Sequence, residues 1–157
     1  MLGALALVLS MSGVAWGDVV PKMPQNADGL EQTYSPAYDY DNDGCYATAA
    51  ITMSGQVNSG LHLGGAVNGH CHDRAQLDQA NTYARAKCND GWCAIMYASY
   101  FEKDQTVDGC SSEPGCGHRH DWEHIIVWVH DNAIQLVSCT VTGEGSSPGT
   151  CASRART

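Results

Sequence analysis

The sequence has 157 residues, of which 17 are acidic and 8 are lysine or arginine, so its formal net charge is -9 at neutral pH. This length suits one compact domain and not two. An acidic surface repels nucleic acid and anionic lipid headgroups. We therefore expect no nucleic-acid partner, and contact with a negatively charged surface would need a bridging cation.

The chain begins with an uncharged apolar stretch, residues 1–17, which ends in the small-x-small pattern Ala15-Trp16-Gly17. This pattern predicts a secretion signal peptide, and the stretch is too short to span a bilayer comfortably. The alternative is a buried strand or helix at the amino end of a domain. The sequence also contains eight cysteines, a density typical of disulfide-bonded extracellular proteins. We therefore expect a secreted protein.

Aspartates occupy alternate positions in the segment DYDNDG, at Asp39, Asp41 and Asp43. Such a repeat followed by glycine is the first half of an EF-hand-like calcium loop. The second half does not follow, because Ala50 stands where the loop requires a bidentate glutamate. The segment is therefore either a second cation site or a solvated turn.

Residues 73–86 fit two different elements. Asp73 could cap a helix that carries Leu77, Ala80 and Ala84 on one face, whereas the segment NTYAR could equally form an edge strand. The residues themselves leave this choice open.

Two short apolar runs, residues 93–101 and 125–129, are rich in aromatic or branched residues. They predict strands that are buried on both faces. Frequent glycine, asparagine and aspartate between apolar runs favour strands and loops over helices. The sequence therefore predicts a mainly β fold in which sheets form a sandwich. Residues from 140 onward predict a flexible tail.

Two pairs of cysteines flank short turn-like segments. Cys88 and Cys93 enclose NDGW, and Cys110 and Cys116 enclose SSEPG. We expect each pair to close a small disulfide loop, although spacing alone leaves the full connectivity open. Zinc knuckles are disfavoured, because they need two matched C-x-x-C pairs that these spacings do not supply.

The most distinctive segment is GHRHDWE, residues 117–123. On a strand, Asp121 and Glu123 point to the same side and Trp122 to the other. Two neighbouring carboxylates repel one another unless they are protonated, paired with an arginine or bound to a cation. Arg119 lies at the same two-residue spacing, so a plain salt-bridge network is one explanation.

A bound cation is the other explanation. An imidazole from His118 or His120 and a further carboxylate from Asp104 would complete an oxygen-rich set suited to magnesium, calcium or manganese. A zinc enzyme is an alternative, since His120 and His124 are four residues apart and would share one face of a helix. The run that follows is a poor helix, however, and the sequence contains no nucleophile motif or nucleotide-binding fingerprint. We therefore do not expect an enzyme.

GHRHDWE is identical to the heptapeptide that marks the necrosis- and ethylene-inducing-peptide-like (NLP) proteins, cytolysins secreted by microbes that attack plants. Four further segments resemble NLP segments in the same order: YAR at 83–85, AIMY at 94–97, YFEKD at 100–104 and VWV at 127–129. The resemblance implies a β-sandwich similar to actinoporins and fungal lectins, with short flanking helices. We expect the protein to act as a monomer.

The resemblance also implies a site. The implied ligands of a divalent cation, Mg²⁺ or Ca²⁺, are Asp104, His118, Asp121 and Glu123. The residues that we expect to support this site are Arg119, His120 and Trp122. Cys45 and Cys71 resemble the disulfide of the simplest NLP proteins, and Cys88 with Cys93 resembles the extra pair of cysteine-richer members. The acidic segment at 39–43 resembles a stretch for which calcium binding has been proposed in such members.

The partner implied by the resemblance is the glycosylated inositol phosphorylceramide of the plant plasma membrane. Its sugar head would dock beside the cation before the bilayer is damaged, without covalent chemistry. The charge pattern agrees with this expectation, because a cation can neutralise the clustered carboxylates and still coordinate sugar hydroxyls.

The resemblance covers about residues 28–137 and ends near Ser138. We therefore predict a signal peptide at 1–17, an incomplete NLP domain at 18–139 and a divergent tail at 140–157. An incomplete sandwich predicts a product without lytic activity as an alternative to a toxin. A related alternative is an immunogenic pattern, since residues 94–123 resemble the segment that plant leucine-rich-repeat immune receptors detect. The third alternative is a secreted metallohydrolase.

Overall fold

The computed structural model of the protein describes residues 19–40, 42–112 and 114–139. These residues form two helices, α1 (Gly29–Thr33) and α2 (Arg74–Leu77), and four strands, β1 (Thr82–Asn89), β2 (Trp92–Gln105), β3 (Gly117–His130) and β4 (Ala133–Cys139). The strands form one antiparallel sheet in the order β1-β2-β3-β4. The predicted mainly β fold is confirmed. The predicted signal peptide at 1–17 and tail at 140–157 lie outside the described residues.

Both tight hairpins have turn residues that suit a positive φ. Asp90 and Gly91 join β1 to β2 with φ of 49° and 81°, and Asp131 and Asn132 join β3 to β4 with φ of 51° and 58°. Two-residue turns with positive φ match the right-handed twist of the strands they connect, and aspartate, asparagine and glycine tolerate them best. The turns fix the register on either side of the long β2–β3 ribbon.

The segment 73–86 contains both of the elements that its sequence left open. Asp73 caps α2, because its carboxylate accepts a hydrogen bond from the Gln76 amide at 3.0 Å. After this single turn of helix the chain extends into β1, the edge strand. Across the residues that the structure describes, no helix is long and apolar enough to cross a membrane.

The hydrophobic core lies on one face of the sheet. Its centre is a cluster of Ile95, Tyr97, Val127 and Val129, and Leu30 of α1 packs against it. The opposite face is more open.

On that opposite face, Met96 is 39% exposed, and Trp122 and Leu136 are exposed as well. The prediction that both faces of residues 93–101 and 125–129 are buried is therefore wrong at Met96, whereas the other residues of these runs are buried or half-buried. The period-two alternation of a strand sends neighbouring apolar side chains to opposite faces. The face opposite the core is covered at Tyr100 and Glu102 but open at Met96.

Within residues 19–40, 42–112 and 114–139, three disulfides connect the cysteine pairs that the sequence suggested. They join Cys45 to Cys71, Cys88 to Cys93 and Cys110 to Cys116. The Cys88–Cys93 bond links directly opposed residues of the β1–β2 hairpin. The Cys110–Cys116 bond closes the connection from β2 to β3, and thereby shortens the loop that precedes residues 117–123.

Candidate functional site

The four predicted cation ligands lie at one end of the β2–β3 ribbon. Asp104 is directly opposite His118, Asp121 is opposite Phe101, and Glu123 is opposite Ser99. The antiparallel register brings these residues, up to 19 apart in sequence, to the same end of the ribbon. Regular alternation alone would place Asp104 and His118 on one face and Asp121 and Glu123 on the other. The connection between the two strands returns the chain so that the start of β3 lies beside the end of β2.

The backbone of β3 is irregular within the heptapeptide. His120 has a φ of 65°, in the left-handed region that a bulky residue rarely adopts. In a regular strand, residues three apart point to opposite faces and lie about 10 Å apart. Here the Nε2 atom of His118 lies 3.9 Å from the Oδ1 atom of Asp121, because the left-handed residue between them interrupts the alternation. Strain of this kind is often found at functional sites.

Asp121 carries the strongest electrostatic signal of the four residues. It is 8% exposed, and burial raises the pKa of its carboxyl above the ordinary value, with Glu123 and then Asp104 adding to the increase through charge repulsion. A hydrogen bond with the Trp122 backbone and the nearby His118 ring oppose this increase only in part. The surroundings of Asp121 therefore disfavour its negative charge.

Arg119 does not compensate this charge. Its guanidinium donates to the Ser59 carbonyl at 3.3 Å and contacts the His62 ring, with 2.6 Å to Nδ1. Within the described ranges, the ion-pair partner of Asp121 is His118 and not an arginine or lysine. A salt-bridge network centred on Arg119 is therefore wrong as the explanation of the heptapeptide at Asp121.

Gly60 lets Arg119 adopt this position. A Cβ atom on Gly60 would come within 2.7 Å of Arg119 Cγ and of His120 Cε1. Arg119, which we expected to support the cation site, therefore anchors the loop at residues 59–62 to β3.

His120 and Trp122 belong to an aromatic cluster with two tyrosines. His120 Nδ1 lies 2.8 Å from the Tyr100 hydroxyl, and the Trp122 ring packs against the rings of Tyr83 and Tyr100 with centroid separations of 5.3 and 5.4 Å. Trp122 and Asp121 point to opposite sides of the strand, as alternation predicts. Tyr83 and Tyr100 therefore support the heptapeptide on the face of the sheet opposite the core.

The chemistry of the four residues fits a hard divalent cation. Three carboxylates and one imidazole are the oxygen-rich donor set that Mg²⁺ or Ca²⁺ prefers, and the buried, repelled charge of Asp121 is what a cation would neutralise. The four side chains are not preassembled into a tight cage. Among the described residues, no three His, Cys, Asp or Glu side chains converge closely enough to hold an ion as they stand.

Two other metal hypotheses gain no support from the geometry. His120 and His124 both lie in β3, so the helical spacing on which the zinc-enzyme hypothesis depended does not exist. In the acidic segment, Asp39 and Asp43 are exposed, and Asp41 lies outside the described residues. The second cation site at residues 39–43 stays a prediction.

A set of buried polar side chains lies beside the site and was not predicted from the sequence. Glu102 is fully buried, and its carboxylate accepts a hydrogen bond of 2.5 Å from Gln76 Nε2. Burial raises the pKa of Glu102, and hydrogen bonds with Asn58 and Gln76 oppose that rise. Lys103 and Gln105 are also buried, on the other face of β2. The available signal was the polar run EKDQ, residues 102–105, at the end of an otherwise apolar strand.

Comparison with known proteins identifies the family of this chain. The family model for necrosis inducing protein (NPP1) matches residues 28–152. The chain belongs to the necrosis inducing protein family. NLP effector protein 3 of Phytophthora capsici is 35% identical over 139 residues, which are 82% of this chain and 55% of that protein. Necrosis-inducing protein NPP1 of Phytophthora nicotianae is 35% identical over 151 residues, or 93% and 60% of the two chains.

Solved structures of the family have the same fold. One, described as a toxin fold that is the basis for microbial attack and plant defense, matches with a TM-score of 0.68 at 29% identity, over 80% of this chain and 58% of that one. NLPPya in complex with mannosamine matches with a TM-score of 0.66 at 32% identity, over 80% and 57%. The sequence therefore spans little more than half the length of each of these four relatives.

Proposed function

We propose that this protein is a secreted necrosis-inducing effector that binds a glycosylated sphingolipid of the plant plasma membrane through a divalent cation and then damages the membrane. The observation that carries the proposal is the buried carboxylate of Asp121 in the heptapeptide, whose pKa is raised by burial and by neighbouring acids even though His118 lies nearby. We assign Asp104, His118, Asp121 and Glu123 as the residues that hold Mg²⁺ or Ca²⁺. The bound ion would neutralise these carboxylates and offer coordination positions to sugar hydroxyls.

The position of Asp121 supports this assignment. Its carboxylate is buried close to two other acids, so the energy of the cation-free site falls when either a proton or a cation binds. Because Arg119 points toward Ser59 and His62, a guanidinium does not occupy that role at Asp121. His118 is exposed and its Nε2 atom faces Asp121, so a modest rotation of its side chain can bring the imidazole to an ion bound there.

The glycan partner is supported by the family neighbours. NLPPya has been solved with mannosamine and with glucosamine, so a protein with this fold accepts hydroxyl-rich amino sugars. Three disulfides agree with function outside the cell, where such bonds persist. The mechanism requires no covalent step from the protein: the ion and its ligands orient the sugar head, and the membrane is disrupted after docking.

The proposal is tested with vesicles that contain plant glycosyl inositol phosphorylceramide and an entrapped dye. We expect the oxidised protein to sediment with these vesicles and release dye in Ca²⁺ or Mg²⁺, and to lose both activities in EDTA. Asp121→Asn should abolish binding. Asp131→Asn is the matched control, because it neutralises an exposed aspartate in the distant β3–β4 turn. Binding that survives both EDTA and Asp121→Asn would remove the cation from the mechanism.

A second candidate is an immunogenic pattern without lysis, recognised by a plant leucine-rich-repeat receptor. It is favoured by one neighbour, HaNLP3, which is described as non-toxic and matches with a TM-score of 0.52 at 31% identity over 64% of this chain. The segment concerned, residues 94–123, runs from β2 through the stapled connection into β3. Immune signalling by a reduced, unfolded peptide of these residues, together with no dye release by the folded protein, would favour this candidate over the toxin.

A further inference from the structure

We propose that two buried side chains outside the predicted ligand set, Lys103 and Gln105, are positioning residues for Asp104. This inference rests on the proposed cation site and assigns how its ligand from β2 is held. The two side chains flank Asp104 in sequence and are 3% and 4% exposed. Together with the loop at residues 64–67 they form what we term the polar clamp.

The side-chain amide of Gln105 is hydrogen-bonded at every position. Its Oε1 atom accepts from the Gly64 amide at 2.9 Å and from Lys103 Nζ at 3.0 Å. Its Nε2 atom donates to the Gly65 carbonyl at 3.0 Å and to the Val107 carbonyl at 2.9 Å. An amide has two donors and room for two accepted bonds, so this side chain can take one orientation only.

Lys103 closes the clamp from the neighbouring position on the same face. Its ammonium donates to the Ala66 carbonyl at 2.9 Å as well as to Gln105. The loop is tied a second time, because the Val67 amide donates to the Asp108 carboxylate at 2.7 Å and the Gly109 amide to the Gly65 carbonyl at 2.7 Å. These hydrogen bonds join the loop to the end of β2 at several points.

Asp104 lies between these two fixed residues, and its side chain points to the opposite face, toward His118 in the register. A third contact holds its main chain. Gly117, opposite Gln105, lies so close that a Cβ atom on it would overlap the Asp104 carbonyl oxygen. The Cα atom of Asp104 therefore has little freedom to move. This restriction limits the positions that the Asp104 carboxylate can reach.

Burying an ammonium and an amide in a sheet is costly compared with burying apolar side chains of similar size. Buried polar groups that break the usual pattern of a strand are expected where geometry matters more than stability. The polar clamp is such a set of buried polar groups. It adds hydrogen bonds that specify one loop position beside the site, where apolar packing would permit several.

The two ions respond differently to a loosened ligand. Mg²⁺ requires near-ideal octahedral geometry, whereas Ca²⁺ tolerates variable coordination. A positioning defect should therefore reduce the affinity for Mg²⁺ more than the affinity for Ca²⁺. A defect that merely unfolds part of the protein would reduce both affinities by the same factor.

The test uses the full oxidised chain and the variants Lys103→Met and Gln105→Leu. The matched controls are Lys87→Met and Gln135→Leu, which make the same changes at exposed positions in β1 and β4. Calorimetry with MgCl₂ and CaCl₂ alone gives the two affinities, and amide hydrogen exchange at Gly64 reports whether the clamp has opened. We expect about a tenfold or larger loss of Mg²⁺ affinity in the clamp variants, a smaller loss for Ca²⁺, faster exchange at Gly64, and no change in either control.

Two results would overturn the positioning role. Unchanged Mg²⁺ affinity in Gln105→Leu while Gly64 exchanges faster would show that the clamp does not act on the site. Equal losses for both ions, accompanied by a lower melting temperature, would reduce the clamp to a stabilising feature. If the unmodified protein bound neither ion, the proposed function itself would fail, and that outcome is distinguishable because it precedes any comparison of variants.

Discussion

The two ends of the β2–β3 ribbon share one register but are stabilised by different interactions. At the end near the two tight turns, Ile95 and Val127 pair within an apolar cluster. At the other end, Asp104 pairs with His118, and the surrounding buried side chains are polar. The comparison shows that hydrophobic burial sets where the strands lie, whereas hydrogen bonds and charge set the conformation of the few residues that form the site.

The polar end should depend most strongly on the close approach of Gly117 to Asp104. Gly117→Ala places a methyl group against the Asp104 carbonyl and also forces a φ of 98° on a residue with a side chain. We expect a loss of about 4 kcal/mol in the free energy of unfolding, measured by urea denaturation. Gly115→Ala is the control, since its φ of 88° is equally unusual but no atom lies near its Cβ position. Equal losses in the two variants would contradict the contact.

The stability of the apolar end should depend on how completely its buried side chains fill the core. Ile95 is fully buried in the core cluster, so Ile95→Ala removes packed methylene groups and leaves a cavity. We expect a loss of about 3 kcal/mol in the free energy of unfolding. The adjacent Met96 faces the open side of the sheet, and Met96→Ala should cost less than about 1 kcal/mol. A large loss from Met96→Ala would show that the second face is covered in solution.

Asp121→Asn should separate charge from packing at the polar end. This nearly isosteric change removes one proposed ligand, so affinity for Ca²⁺ or Mg²⁺ should fall by about 100-fold or more, since outer-shell changes alone cost 10–100-fold. In the cation-free protein the change should instead be stabilising, because it removes a buried charge repelled by Glu123 and Asp104. Calorimetric titration and thermal unfolding in EDTA measure the two effects. A destabilised cation-free variant would contradict the repulsion.

The same carboxyl predicts an opposite pH dependence with and without the ion. The pKa of Asp121 is raised in the folded protein, so without cation its contribution to stability is complete below the ordinary value of 3.8 and is lost as pH rises through the raised pKa. A cation binds the ionised form, so at saturating Ca²⁺ stability should increase over the same pH range. Asp121→Asn should flatten both dependences.

Some of this organisation could be predicted from the sequence and some could not. The strands followed from apolar runs, and the β1–β2 hairpin was indicated by the cysteines that flank NDGW. The conformation of the heptapeptide did not follow, because alternation assumes a regular backbone and His120 has a left-handed φ. The direction of Arg119 depends on Ser59 and Gly60, which are distant in sequence. Local pattern contains no information about such contacts.

The smallest expected effect concerns a hydrogen bond made by a core side chain at the apolar end. The buried Tyr97 hydroxyl donates to the Glu31 carbonyl at 2.9 Å, which connects the core strand to α1. Tyr97→Phe should cost about 1 kcal/mol at neutral pH, the typical value of one such bond. Burial, assisted by Glu31 and Tyr38, raises the pKa of Tyr97 to about 12.

The stability that the Tyr97 phenol contributes is therefore complete below its ordinary pKa of 10.0 and is lost as pH rises toward about 12. Tyr100, whose pKa is raised similarly, is present in both proteins, so the difference between them isolates Tyr97. Urea denaturation at pH 8 and at pH 11 should show the gap between the unmodified protein and Tyr97→Phe narrowing as pH rises. A gap that stayed constant would mean that the phenol remains accessible to water, and the apolar end would then be less tightly closed by α1 than its packing indicates.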